Sequence, residues 1–82
     1  QTAHFSVNPS ERNGIDSVDY VLKVRLRSGR FIVSRGFMMY MPDEPGVILE
    51  ANYVQAEGTD LWLELAQYGD DFLKSVHVME KE

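Results

Sequence analysis

Apolar and polar residues alternate with a period of two over several segments of the chain. In the first such segment, residues 18–27, one side is apolar and the other carries basic side chains. The apolar side consists of Tyr20, Leu22, Val24 and Leu26. A period of two with aromatic and β-branched residues is typical of a half-buried strand. Similar segments follow at residues 30–41 and 47–55, so the pattern predicts consecutive antiparallel strands.

The first two predicted strands are joined by Ser28-Gly29. Glycine accepts the positive φ that a two-residue hairpin loop requires, so this pair predicts a tight hairpin. The resulting register places Val24 opposite Val33 and matches the apolar sides of both strands. The alternation breaks at Arg35-Gly36, which predicts a bulge or a bend in the second strand.

The segment after residue 60 fits two patterns. Leu61, Leu63 and Leu65 alternate with other residues, as in the earlier strands, and we predict a strand here on that basis. The same segment is rich in helix-forming residues, and Thr59 stands where a helix cap is expected, so one short helix near residues 60–75 remains the alternative. The β-branched, mainly apolar sequence of residues 76–79 predicts a short final strand.

The spacing of these segments predicts a mostly β fold. We expect a small antiparallel meander of four to five strands that closes into a barrel-like or sandwich core. With 82 residues the chain is long enough for one domain. We assign residues 1–17, which are polar and contain Pro9, to a partly ordered N-terminal arm and residues 18–82 to the β-rich domain.

The charge is distributed unevenly. The net charge is −5, yet residues 20–41 contain five basic residues and no acidic one. These basic-face candidates are Lys23, Arg25, Arg27, Arg30 and Arg35. They could bind an acidic partner, or they could only keep an exposed strand face hydrated and unpaired. The net negative charge argues against nucleic acid as a partner.

The sequence offers no catalytic constellation. It has no cysteine, and His4 and His77 lie far apart in the chain. The paired carboxylates lie in predicted turns beside proline or glycine, where aspartate is common because its side chain stabilises turns. They are Asp43-Glu44, Asp70-Asp71 and Glu57/Asp60. No nucleophile, phosphate-binding or metal-ligand motif is present. We therefore expect a protein that is not an enzyme and needs neither metal nor cofactor.

An unbroken apolar run covers residues 37–41. A half-buried strand hides only every second side chain, so the others must contact a second layer or another molecule. The interface candidates are Phe37, Met38, Tyr40 and Trp62. We expect a binding module that self-associates, most simply as a dimer. The alternatives are an acidic accessory or inhibitor protein that docks on a basic surface of a larger complex, and a barrel that binds a small molecule.

Two short segments, residues 24–30 and 47–50, resemble the first motif of Sm-like proteins, which are small five-stranded barrels. The resemblance implies barrel geometry only. The glycine expected soon after the hairpin comes late, at Gly36, the RNA-binding Asp and Asn have no counterpart in residues 42–46, and the second motif is absent. We therefore assign no family.

No apolar run approaches the roughly 18–20 residues that a membrane-spanning helix requires. The absence of cysteine fits a reducing compartment, and we expect a soluble cytoplasmic protein. The chain begins at Gln1 without an initiator methionine, which leaves a leader removed before Gln1 as the alternative.

Overall fold

The computed structural model describes residues 3–76. They form four strands and one helix: β1 (Ala3–Arg12), β2 (Ile15–Arg25), β3 (Phe31–Tyr40), β4 (Ile48–Ala56) and α1 (Trp62–Ser75). The strands form one sheet in the order β1-β2-β3-β4, and each pairs antiparallel with its neighbour. The predicted mostly β meander is confirmed. Within residues 3–76 the sheet is open, with β1 and β4 at its edges, so the predicted closure into a barrel or sandwich is not observed there.

Strand β1 lies in the segment that the sequence analysis assigned to a partly ordered arm. It pairs with β2 along its whole length, from Ala3 opposite Val24 to Arg12 opposite Ile15. The connection is Asn13-Gly14, and both residues have positive φ, 51° and 81°. A two-residue turn with positive φ at both positions matches the twist of the flanking strands, and Asn-Gly is its preferred sequence.

The β2–β3 hairpin differs by one residue from the predicted register. Val24 lies opposite Ile32, not Val33. The amide of Leu26 donates to the carbonyl of Arg30 at 2.8 Å, so the loop holds three residues. Gly29, with φ 89°, takes the left-handed position that ends such a loop. The extra residue shifts the pairing along the whole hairpin.

The predicted strand after residue 60 is wrong, and the alternative helix is confirmed as α1. Leu61 precedes the helix with a left-handed φ of 64° and no side-chain cap. The expected cap residue, Thr59, instead donates its hydroxyl to the carbonyl of Ala56 at 3.1 Å. Val76 follows α1 in extended conformation, and the rest of the strand predicted at residues 76–79 lies outside the described residues.

The two faces of the sheet have different surroundings. Helix α1 packs on one of them, which we call the helix side. Its core contains Phe37, Met39 and Leu73, with Leu49, Ala51 and Tyr53 of β4 packed around them. The opposite face, which we call the open face, carries the apolar side of β2. The face that the sequence analysis expected to form the core, residues 20, 22 and 24, is thus the one that no described element covers.

Candidate functional site

The open face of the sheet exposes several large apolar side chains. Its most exposed apolar side chains are Phe5, Tyr40, Ile48 and Val54, which retain 61, 67, 53 and 59% of their accessible area. Monomeric proteins rarely leave a large contiguous apolar patch in contact with water. The exposure therefore marks this face as a candidate binding surface.

The charges of the open face lie at its margins. Alternation along the paired strands places Glu11 on edge strand β1, Asp16 at the start of β2 and Glu50 on edge strand β4. The two central strands contribute mainly apolar residues to this face, and its described part carries no lysine, arginine or histidine. Glu11 and Asp16 therefore form a polar margin, as protein–protein interfaces commonly have, whereas the Glu50 carboxylate reaches inward to the Tyr20 hydroxyl.

Two of the interface candidates, Met38 and Tyr40, lie on the open face. Together with Val18 and Ile48 they line an apolar groove of about 220 Å³ at one end of the sheet. Met38 is half-buried and Tyr40 is exposed. These two interface candidates therefore lie on an apolar surface that no described element covers.

A polar cluster crosses the open face above Gly36. The Tyr20 hydroxyl donates to the carboxylate of Glu50, and the Asn52 amide donates to the Tyr20 oxygen at 2.9 Å. Burial, followed by the hydrogen bond to Glu50, raises the pKa of Tyr20 above its ordinary value. The ring of Phe5 lies beside the Tyr20 ring, 6.0 Å between centroids. The cluster fixes the Tyr20 ring in place on the otherwise apolar face.

The other two interface candidates, Phe37 and Trp62, belong to the helix side. Phe37 is fully buried in the core, and the guanidinium carbon of Arg12 lies 3.6 Å from its ring centroid. Trp62 is half-buried at the start of α1, where its carbonyl accepts a hydrogen bond from Gln55 at 2.9 Å. Neither residue joins the surface formed by Met38 and Tyr40.

The five basic-face candidates lie in two regions, the helix side of the sheet and the loop between β2 and β3. Lys23, Arg25 and Arg35 project from the helix side, as the cross-strand pairs show. Arg27 and Arg30 lie in or beside the loop between β2 and β3 and are exposed. Lys23 is engaged, because its ammonium lies 3.0 Å from the Glu57 carboxylate and 4.6 Å from the Phe31 ring centroid.

Helix α1 also exposes apolar side chains on the side away from the sheet. Leu65, Tyr68 and Phe72 retain 51, 72 and 48% of their area, and Leu61 just before the helix retains 66%. Their spacing of four, three and four residues places them on one stripe. The alternative helix predicted for this segment places these residues near one face, whereas the preferred strand does not.

Within residues 3–76, no group of histidine, cysteine and carboxylate side chains is arranged to hold a metal ion. His4 lies exposed on β1, and His77 lies outside the described residues. No helix in the described part of the chain is long and apolar enough to cross a membrane.

Comparison with known proteins found no match: no family model, no curated protein and no solved structure is similar to this chain.

Proposed function

We propose that the protein is a non-enzymatic interaction module that self-associates through its open face. The observation that carries the proposal is the exposure of large apolar side chains on a sheet that, within residues 3–76, has a helix on one side only. A sheet with one apolar face must bury it against another layer. No described element of the chain supplies that layer, so a second copy of the chain is the simplest source.

The size of the open face fits this role. Four strands of about ten residues cover an area of roughly 600 Å², given strand spacings near 4.8 Å and a rise near 3.3 Å per residue. The accessible area of protruding side chains exceeds that flat footprint. Stable interfaces bury about 800 Å² per partner, so the face is of the size that a dimer requires.

Packing of two open faces would create a sandwich between two chains. Facing sheets lie about 10 Å apart, with their strands at about 30° to one another. In that arrangement the apolar side chains of the central strands are buried and Glu11 on edge strand β1 stays near solvent, whereas the Glu50 carboxylate enters the interface with the Tyr20 hydroxyl that donates to it. The sandwich expected from the sequence would then form between two copies, and α1 would lie on each outer surface.

The test is the mass in solution, measured by size-exclusion chromatography with light scattering. We expect a dimer for the unmodified chain and a folded monomer for the double variant Ile48→Glu, Val54→Glu. The matched control is Leu63→Glu, which charges a side chain of similar exposure, 69%, on α1. A monomeric unmodified chain would contradict the proposal, as would a double variant that remains dimeric.

A second candidate function is docking on a basic surface of another protein. The observation that favours it is that the described charges of the open face are all acidic. Retention on immobilised polylysine should then fall with added salt and with the triple variant Glu11→Gln, Asp16→Gln, Glu50→Gln. The matched control is a triple variant on acidic residues outside the open face: Asp43→Gln, Glu44→Gln, Asp60→Gln. If the open face is the docking surface, this control should be retained more strongly than the open-face triple variant.

A further inference from the structure

The outer edge of β4 carries backbone N–H and C=O groups that no strand within residues 3–76 pairs. On its inner edge, β4 pairs with β3 without interruption from Ile48 to Ala56. Just beyond the strand, the amide of Glu57 donates to the carbonyl of Phe31, so the odd-numbered residues of β4 form the hydrogen-bonded pairs with β3. The even-numbered residues therefore direct their N–H and C=O groups outward. Those along the edge are Ile48, Glu50, Asn52 and Val54.

The other edge strand, β1, is protected near its centre. Arg12 and Ile15 flank the two-residue turn and form a hydrogen-bonded pair, so the odd-numbered residues of β1 face outward. Pro9 is one of them, and it has no N–H, which interrupts the row of outward donors. Natural edge strands are commonly blunted by proline, lysine or a bulge. The sequence of β4 contains neither proline nor lysine, and its pairing has no bulge, so β4 is the edge that can accept another strand.

Helix α1 runs back along β4 on the helix side of the sheet. At the start of the helix, the carbonyl of Trp62 accepts from the Gln55 side chain at 2.9 Å. Farther along, Asp70 accepts from the Tyr53 hydroxyl at 2.7 Å. A helix with its side chains is about 10–12 Å wide, whereas neighbouring strands lie about 4.8 Å apart. A helix that lies over the edge strand therefore overhangs the position that a fifth strand would take beside β4.

The flank of α1 that overhangs this position is apolar. Gln67 and Lys74 lie on the opposite flank, because they line a cleft together with residues of β2 and β3. With 3.6 residues per turn, the apolar stripe of α1 lies on the side turned away from that cleft, beyond the β4 edge. The stripe consists of Leu61, Leu65, Tyr68 and Phe72. A strand added to β4 would cover these side chains with one of its own faces, so the open edge and the exposed stripe form one composite surface.

The surroundings of this composite surface are acidic. Residues 48–75 contain six acidic residues, and Lys74 is their only basic one. Glu64 and Asp71 each lie about one helical turn from Tyr68 and so border the stripe. A second copy of the chain would bring the same carboxylates against them, whereas a basic segment is attracted. The charge therefore favours a basic partner over self-association at this edge.

We propose that the composite surface binds an extended segment of another protein, in which apolar residues alternate with basic ones. The segment adds a fifth strand of about seven residues, the length from Ile48 to Val54. Its backbone pairs with the outward groups of β4, and its apolar side chains pack against the stripe of α1. Its basic side chains lie on the other side of the new strand, beside Glu50. The surface is separate from the open face, and its use does not depend on self-association.

The test is fluorescence anisotropy of the full chain with a labelled, end-blocked peptide of about seven residues in which valine alternates with lysine. We expect saturable binding, and no binding at about 1 mM would overturn the proposal. Two further peptides carry N-methyl groups, one on every valine and the other on every lysine. Only alternate N–H groups of a paired strand face its neighbour. One methylated peptide should therefore bind at least about tenfold more weakly than the other, and equal affinity of the two would overturn strand addition.

Variants of the chain locate the bound peptide. Val54→Pro removes an outward N–H of β4 and should weaken binding of the unmethylated peptide at least about tenfold. Its matched control is Val7→Pro, which makes the same change at an outward position of β1 and should leave binding unchanged. Leu65→Ser in the stripe should weaken binding at least about threefold, whereas Leu63→Ser on the opposite flank of α1 should not. Equal effects within either pair would overturn the composite surface.

The mass in solution tests the choice of partner. Size-exclusion chromatography with light scattering should give the same mass for Val54→Pro as for Val7→Pro. Loss of self-association in Val54→Pro alone would show that a second copy of the chain occupies the β4 edge, and would overturn the assigned partner.

Discussion

The hydroxyl of Tyr20 on β2 lies 2.9 Å from the amide nitrogen of Asn52 on β4, although β3 runs between these strands. The residue of β3 opposite both is Gly36. A Cβ atom there would overlap the carbonyl oxygen of Ala51 and the Cα and Cβ atoms of Asn52. The absence of a side chain at residue 36 therefore permits both the close strand approach and the bond across it.

Replacement of Gly36 tests this relationship. We expect Gly36→Ala to lower the free energy of unfolding by about 1–3 kcal/mol, because the overlap is with backbone that cannot move aside freely. Urea denaturation measures the change. The control Ser6→Ala, on exposed edge strand β1, should change stability by less than about 0.5 kcal/mol. Equal stability of Gly36→Ala and Ser6→Ala would show that β3 and β4 are farther apart than in the structure.

The dependence of stability on pH above about 10 tests the contact between Tyr53 and α1. Burial, together with the hydrogen bond that the Tyr53 hydroxyl donates to Asp70 at 2.7 Å, raises the pKa of Tyr53 to about 12. The unfolded chain releases this proton near pH 10. Between these values the unfolded state binds fewer protons than the folded state, so stability should fall as the pH rises from about 10 to about 12.

The variant Tyr53→Phe should weaken this alkaline loss of stability. Urea denaturation at about pH 9 and about pH 11.5 compares the two chains. Some dependence should remain, because the pKa of Tyr20 is also raised. Tyr68→Phe, which changes an exposed ring, should behave as the unmodified chain does. An unchanged pH dependence in Tyr53→Phe would contradict the burial of this phenol.

The hairpin between β1 and β2 depends on Gly14. Its φ is 81°, and an added Cβ would meet no atom within 4 Å, so only backbone strain opposes a side chain there. We expect Gly14→Ala to cost about 1–2 kcal/mol of unfolding free energy. Amide hydrogen exchange should also show faster opening of β1 than of β3. Full retention of stability would indicate that β1 does not require this turn.

The same turn shows what sequence reasoning could have found. Asn-Gly between two segments of strand-forming residues is the strongest local indication of a hairpin, and it predicts β1 directly. The polar composition of residues 1–17 led instead to the partly ordered arm. The register of the next hairpin was harder to predict, because Ser28-Gly29 fits both a two-residue loop and the end of a three-residue loop.

The side of the sheet that α1 covers could not be read from the strand pattern. In β2 the apolar residues share the open face, whereas Leu49, Ala51 and Tyr53 of β4 face the helix. The apolar–polar alternation predicted for β2 and for β4 agrees with the structure. Only the pairing register, however, determines that the apolar residues of β2 and those of β4 lie on opposite sides of the sheet. The proximity of Arg12 on β1 and Lys74 on α1 is likewise a tertiary feature, since these residues come together only when α1 packs across the sheet.

The packing of α1 on the sheet centres on Gly69 and Tyr53. A Cβ at residue 69 would lie 2.7 Å from three atoms of the Tyr53 ring, closer than any normal contact. In an exposed helix, Gly→Ala gains about 1 kcal/mol from helix propensity. Here we expect Gly69→Ala to lose about 1–3 kcal/mol, because the ring lies against the helix backbone and must move.

A double-mutant cycle separates the two effects. In a Tyr53→Ala background the ring is absent, so Gly69→Ala should become neutral or stabilising by up to about 1 kcal/mol. The cycle should therefore give a coupling energy of at least about 1 kcal/mol between the two positions, measured by urea denaturation. Additive effects would mean that α1 does not rest on Tyr53.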